Sequence, residues 1–325
     1  MILVCYGTRP EWIKLKPVID GLDGVVPFKV LFTGQHKDMA NFEHDYRLEI
    51  KDGENRLDSI VQSILNQDVF DSCTHVMIQG DTTSCLAVSL AAFHRQKKII
   101  HLEAGLRTYD FKNPYPEEMN RQLISRMSDV QLCPTEWNLK CLEDERVGGD
   151  KYVVGNTVLD TIDRSGCVYG NKVLVTLHRR ENHEILDKYF SRINELAESF
   201  PDLEFILPIH PNPNVLKYKH LIHSVTVVDP LSRTDLLKLL KECKLVISDS
   251  GGIQEECSFL NKKVIVCRKI TERPESVGIH SFMCGDPANL ITLFEELIVN
   301  CEVDEPCAYG DGKSTERIVN ILKEL

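Results

Sequence analysis

The chain has 325 residues, 42% of them hydrophobic, enough for a packed core and, by length, for about two domains. Its formal net charge of −11 argues against a general nucleic-acid binder, but leaves room for an anionic substrate, because local arginines and helix termini decide that. No apolar run reaches the roughly 18 residues that span a bilayer, and the start MILVCYGTRPEW lacks the basic head and long apolar stretch of a signal peptide; together they predict a cytoplasmic protein with no membrane partner.

Short, nearly continuous apolar strands alternate with helical patterns. In the first half the predicted strands are Ile2–Cys5, Lys29–Phe32, Thr74–Gln79, Lys98–Leu102, Val130–Leu132 and Tyr152–Val154. Helices are predicted near Glu11–Leu22, Arg56–Asn66, Ser84–Gln96, Glu117–Met127 and Glu136–Glu145. The pattern then restarts, with strands Lys172–Thr176, Glu204–Leu207, Thr226–Val228, Leu245–Ile247 and Lys263–Val266. Helices fit Glu184–Ser199, Thr234–Lys241, Ile253–Phe259, Leu290–Val299 and, after the turn YGDG, Ser314–Leu325. Alternation of this kind builds parallel sheets covered on both faces. The prediction is an α/β fold of two doubly wound domains facing across a cleft, residues 1–165 and 166–312, with the interval Thr161–Asn171 as linker and a last helix, 313–325, packing back on the first domain. Twelve cysteines include no CxxC pair; Cys5, Cys85, Cys133 and Cys267 sit in apolar patterns and read as small buried thiols. No Gly-x-Gly-x-x-Gly follows the first strand and no Walker A sequence is present, so neither a nicotinamide nor a flavin site is supported.

The polar clusters fall just after predicted strands, where ligands bind in such sheets. In SDSGGIQEE, Ser248 to Glu256, two glycines between strand and helix remove Cβ atoms that would block a ligand, and the N–H groups of the helix start favour an anion. Ser250 adds a hydroxyl, and Glu255 and Glu256 are carboxylates for the helix start or for sugar hydroxyls. The plainer reading is a capped helix after a tight turn. GTRPEWIK supplies Arg9 and Lys14, one helical turn apart and suited to phosphate. GDT places Asp81 at a strand end, where capping the next helix is its simplest role. EAGLRT supplies Glu103 and Arg107, with an ion pair between them as the plain alternative. YPEE, with Glu117 and Glu118, looks locally like an ordinary helix start. HRRE at His178 suggests an anion site or a proton-transfer group, HPNPN at His210 a proline-rich turn, and RKITERPE further charge at the same edge. Eight such clusters at strand ends point to an enzyme site for a phosphorylated, hydroxyl-rich molecule.

The ordered set GTRPEWIK, TGQH, QGDTTSCLA, HLEAGLRT, YPEEMNR, TLHRRENH, PIHPNPN, SDSGGIQEE, TERPESVG and YGDGK resembles the non-hydrolysing UDP-N-acetylglucosamine 2-epimerases, from Gly7 to about Ile321. The resemblance implies a GT-B-like fold of two Rossmann-type domains with UDP between them, a homodimer, and interconversion of UDP-GlcNAc and UDP-ManNAc without metal or cofactor, as in polysaccharide biosynthesis. The C2 hydrogen of a HexNAc is not acidic, so the implied route expels UDP from C1 while C2 loses its proton, then re-protonates the glucal-type intermediate on the other face. Asp81, Glu103, Glu117 and His178 match the family's catalytic positions, with Asp81 and Glu117 favoured for the C2 proton. Arg9, Lys14, His210, Ser250, Gly251 and Gly252 match nucleotide contacts, Arg107 joins the substrate-binding set, and Glu256 matches the ribose carboxylate. The sequence departs from the family in two places. The segment between Asp45 and Asp58 is short and lacks the Gln-rich pattern that serves substrate activation in many bacterial members, and the region Asn182 to Leu186 is trimmed. The alternatives are a 2-epimerase of UDP-6-deoxy-HexNAc sugars, a GT-B glycosyltransferase and a non-catalytic UDP-sugar-binding protein.

Overall fold

The computed structural model describes residues 1–36, 39, 41–51 and 53–325, which form two compact units: Met1–Thr161 with Gly310–Leu325, and Ile162–Tyr309. The first unit holds a seven-stranded parallel sheet built from β1 (Ile2–Tyr6), β2 (Phe28–Phe32), β3 (Tyr46–Arg47), β4 (His75–Gln79), β5 (Lys98–Leu102), β6 (Val130–Cys133) and β7 (Asp150–Val153), in the order β3-β2-β1-β4-β5-β6-β7. Its helices are α1 (Arg9–Leu22), α2 (Arg56–Leu65), α3 (Thr83–His94), α4 (Glu117–Met127) and α5 (Glu136–Asp144). Successive side chains of β1 point to opposite faces, and both faces are buried. Ile2, Val4 and Tyr6 join a core with Leu15, Val18 and Leu22 of α1, while Leu3 and Cys5 join another with Ile60 of α2 and Val88 of α3. This double burial is why the strand reads as a continuous apolar run.

The second unit holds a six-stranded parallel sheet. Its elements are β8 (Lys172–Thr176), α6 (Leu186–Ser199), β9 (Glu204–Pro208), α7 (Pro213–Leu216), β10 (Thr226–Val228), α8 (Arg233–Glu242), β11 (Cys243–Ser248), α9 (Gly251–Phe259), β12 (Val264–Val266), β13 (Ser281–Met283) and α10 (Leu290–Val299), with strand order β10-β9-β8-β11-β12-β13. Val173 and Val175 of β8, Ile193 of α6 and Phe294 of α10 share one core. The chain then re-enters the first unit, where α11 (Ser314–Leu322) lays Ile318, Val319 and Leu322 against the α1 core. Asp160 accepts the N–H groups of Ser314 (3.0 Å) and Thr315 (2.5 Å) and so fixes the start of α11.

Both sheets reverse direction once, between β1 and β4 in the first and between β8 and β11 in the second. Ligands of open α/β sheets bind beyond the carboxyl ends of strands at such reversals. The very short edge strands β3 and β13 escaped the sequence pattern because two or three residues establish no period. All twelve cysteines are unbridged thiols and ten of them are buried. No helix among the described residues is long and apolar enough to cross a membrane.

Candidate functional site

In the first unit the polar residues that follow β1, β4 and β5 are tied together around buried carboxylates. Glu11, in the first turn of α1, is buried. Its Oε2 accepts the N–H groups of Gly7 (2.5 Å) and Thr8 (2.7 Å), and its Oε1 accepts the Thr82 hydroxyl (2.5 Å). One side chain thus locks the loop after β1 to the loop after β4. The Cys85 thiol also meets Oε1, at 3.1 Å, and burial with this neighbouring carboxylate holds its pKa well above the usual thiol value.

Asp81 follows β4 but does not cap α3; Thr82 does, accepting Cys85 N–H at 3.1 Å. Asp81 instead takes two bonds from Arg121 of α4 on one carboxylate oxygen, from Nη2 at 2.5 Å and Nε at 3.0 Å. The Asp81 carbonyl accepts Asn120 Nδ2 at 2.9 Å, so the first turns of α4 lie against the Asp81 turn. Glu117 opens α4, four residues before Arg121, and is half-buried. Its neighbour Glu118 is fully buried and accepts Thr108 N–H (3.0 Å), Tyr109 N–H (3.1 Å) and Arg121 Nη1 (3.0 Å). The two adjacent acids therefore part company: Glu118 holds the loop and Glu117 stands at the helix mouth.

Glu103, directly after β5, has φ of +68°, a left-handed conformation costing about 1 kcal/mol or more outside glycine. Its carboxylate pairs with Lys14 and accepts from Gln79 Nε2 and, at 3.2 Å, from Asn156 Nδ2. A methyl on Gly80 would lie 3.6 Å from Glu103 Oε2, so Glu103 and the Asp81 turn are neighbours. The local pair Glu103–Arg107 does not form. Arg107 is buried and binds Glu145 through Nε (2.6 Å) and Nη2 (3.0 Å), with Ser125 and the Leu106 carbonyl as further acceptors. Through these bonds Arg107, which the resemblance puts in the substrate-binding set, props the loop after β5. Lys14 and Arg9 also diverge: Lys14 neutralises Glu103, while exposed Arg9 lies over the Phe42 ring.

In the second unit, His178 follows β8, His210 follows β9 and Asp249–Ser250 follow β11. The two imidazoles stack with centroids 5.1 Å apart and planes 12° apart. Burial pushes both rings below the ordinary histidine pKa, against the pull of Asp249. Ser250 is the N-cap of α9 and uses no side-chain bond for it. Gly251 and Gly252 are the first two residues of α9 itself, a correction to the predicted turn, and Glu255 and Glu256 accordingly lie beyond the first turn. Glu255 receives Arg273 Nε at 2.5 Å and Glu256 pairs with Arg233. A methyl at Gly251 would meet Arg273 Nη1 at 2.4 Å, whereas one at Gly252 would find only Ser250 Oγ, at 3.9 Å, and open space beyond. The first N–H groups of a helix have no partner within the helix, and such a start is the kind of place that suits an anion. A separate cavity of about 520 Å³, lined by Arg164, Tyr169, Lys262 and Asp304 among others, contains none of these residues.

Arg121, Glu11, Asp249 and His101 escaped the sequence reading. Arg121 was discoverable, since it sits four residues after Glu117 and so shares its helix face. His101 lies within the apolar strand pattern KIIHL, which hides it.

A family model described as UDP-N-acetylglucosamine 2-epimerase matches residues 23–323. The "UDP-N-acetylglucosamine 2-epimerase" of Neisseria meningitidis is 36% identical, covering 99% of this chain and 98% of that one. The alignment runs over 368 positions, more than the 325 residues present here, so the relative carries segments this chain lacks. The crystal structure of the UDP-GlcNAc 2-epimerase from N. meningitidis bound to UDP-GlcNAc superposes with a TM-score of 0.90 at 32% identity, covering 100% of both chains. The co-structure of S. aureus MnaA with UDP gives 0.90 at 30% identity over 99% of this chain and 96% of that one.

Beside Asp81, His101 is fully buried, its Nε2 is 2.8 Å from the Gly80 carbonyl, and Nδ1 has no partner among the described residues. Burial drops its pKa from 6.5 to about 4. The unfolded chain therefore gains a proton that the folded chain refuses as pH falls through 6.5, and stability falls with it. Between pH 7.5 and 5 this site costs about 2 kcal/mol, which His101→Gln removes while still donating to Gly80. Urea unfolding of both proteins at the two pH values measures it; an unchanged pH dependence in the variant contradicts the assignment.

Proposed function

Because the chain belongs to the UDP-N-acetylglucosamine 2-epimerase family, we propose that it is a reversible isomerase of UDP-GlcNAc and UDP-ManNAc that eliminates UDP from C1 and returns it after the C2 proton has been exchanged. The observation that carries the proposal is the grouping of Asp81, Glu103 and the α4 acid Glu117 with Lys14 and Arg121 at the strand ends of the first unit, together with the open helix start of α9 in the second. Asp81 and Glu117 exchange the C2 proton, one on each face of the ring. Arg121 keeps Asp81 oriented and Lys14 keeps Glu103 oriented, a pre-organisation that the transition state does not have to establish. The departing diphosphate is a dianion or more, and Ser250, the N–H groups of Gly251 and Gly252, Arg9 and His210 receive it, with Glu256 at the ribose and His178 as the proton donor or orienting group.

Turnover in deuterated water tests the chemistry. Deuterium is expected at C2 of product and of recovered substrate, read by proton NMR; epimerisation without C2 exchange rules the route out. Asp81→Asn should lower kcat about 1,000-fold or more while leaving the affinity for UDP within about threefold, and an active variant removes Asp81 from its role.

At the nucleotide end, a methyl at Gly252 meets nothing inside the protein and enters the space before the helix start. Gly252→Ala should unfold at the wild-type temperature yet bind UDP about tenfold or more weakly by calorimetry; wild-type affinity moves the diphosphate elsewhere.

The assembly we propose is a homodimer. Supporting it, Phe93 on α3 and Met119 and Leu123 on the adjoining α4 expose large apolar side chains. Light scattering should give about twice the 37.0 kDa chain mass, and Leu123→Glu should halve it; a wild-type monomer contradicts the assembly.

A further inference from the structure

Asp249 has no exposed surface, and nothing in the reaction described above uses it. Its carboxylate is wrapped by donors from the loop after β8: the N–H groups of His178 (2.9 Å to Oδ2) and Arg179 (2.8 Å), and Asn182 Nδ2 (3.0 Å). None of these donors brings a full charge. The His178 ring can bring one, when protonated: Nδ1 lies 3.4 Å from Asp249 Oδ1, and among the described residues no lysine or arginine is within ion-pair reach of this carboxylate. A buried carboxylate whose one ionisable partner is an imidazole favours the protonated ring.

The stacked partner completes the argument. His210 Nδ1 accepts the N–H of Asn212 at 3.1 Å, so the neutral tautomer carries its hydrogen on Nε2, and protonating Nδ1 would break that bond. Of the two parallel rings, His178 is the one built to take a proton and His210 the one built to refuse it. The other charged or titratable groups acting on His178 are Arg179, which opposes protonation, and Glu181, which supports it; His183 Nε2 lies 3.2 Å from the His178 carbonyl. We propose that Asp249 is a positioning residue for His178, holding Nδ1 toward the buried carboxylate so that Nε2 is offered to the diphosphate, and that His178 takes up a proton from solvent when the nucleotide binds. The proposal rests on the reading of this unit as a UDP site.

Calorimetric titration of the wild-type protein with UDP at pH 7.5, in two buffers of different ionisation enthalpy, counts protons taken up. Uptake of up to one proton is expected, and His178→Gln should abolish it. UDP binding without uptake overturns the inference and leaves the UDP site intact; no UDP binding overturns both. Asp249→Asn, of nearly equal volume, should bind UDP without uptake. It should also move the basic fall-off of kcat/KM down by about one pH unit, so that its loss at pH 8.5 exceeds its loss at pH 6 by about tenfold. Asn182→Ala, which disturbs the same cluster but leaves the charge, should keep the wild-type midpoint. An equal loss at every pH in Asp249→Asn is the signature of a merely structural role and overturns the inference; if that variant fails to fold, the wild-type proton count decides.

Discussion

A buried carboxylate gripping two successive backbone amides is the device on which the site loops depend. Glu11 holds Gly7 and Thr8 after β1, Glu118 holds Thr108 and Tyr109 in the loop beyond β5, and Asp249 holds His178 and Arg179 after β8. All three side chains are at most 1% exposed. Burying an anion is costly unless its lone pairs are filled, and charge-assisted bonds from fixed N–H groups fill them. Removing any one leaves not a lost contact but orphaned amides in a dry interior, which is dearer. Each of these loops is thus held through its backbone by a single carboxylate.

The fold was largely legible because its strands are buried on both faces and its helices are long enough to show their period. What escaped was the content of the ion pairs. Sequence proximity suggests local partners, Glu103 with Arg107 and Asp81 with its own helix. The parallel sheet instead brings together strand ends that are remote in sequence, so Glu103 meets Lys14 across 89 positions and Asp81 meets Arg121 across 40. The start of α9 was misread by two residues, Ile253 for Gly251, for a related reason. Where a helix begins is set by Ser250 taking the extended conformation, φ −87° and ψ 125°, and adjacent glycines do not announce that.

His101 and Asp249 were illegible for a different reason: residue type alone does not reveal whether a polar group in an apolar strand, or in a motif dominated by glycines, is satisfied. Their roles appear only once their surroundings are counted. His101 has one bonded nitrogen and one bare, and the bare one forbids the imidazolium; Asp249 has amides for partners and one imidazole for a counter-ion. Burial lowers the pKa of both histidines, and in His178 the carboxylate 3.4 Å from Nδ1 pulls the other way.

A chain of net charge −11 that handles a nucleoside diphosphate sugar is not a contradiction. Exposed carboxylates farther than about 8 Å from a ligand are largely screened at physiological salt. What the ligand meets is local. In the first unit the acids bring their own cations, Arg121 for Asp81 and Lys14 for Glu103. In the second unit the buried charge of Asp249 is shielded by amides, and the group presented outward at the same sheet edge is a helix start with unpaired N–H groups. Negative charge is thus stored in the interior as scaffolding, and the positive poles are left at the surface where an anion can reach them, an arrangement to which the sign of the total is indifferent.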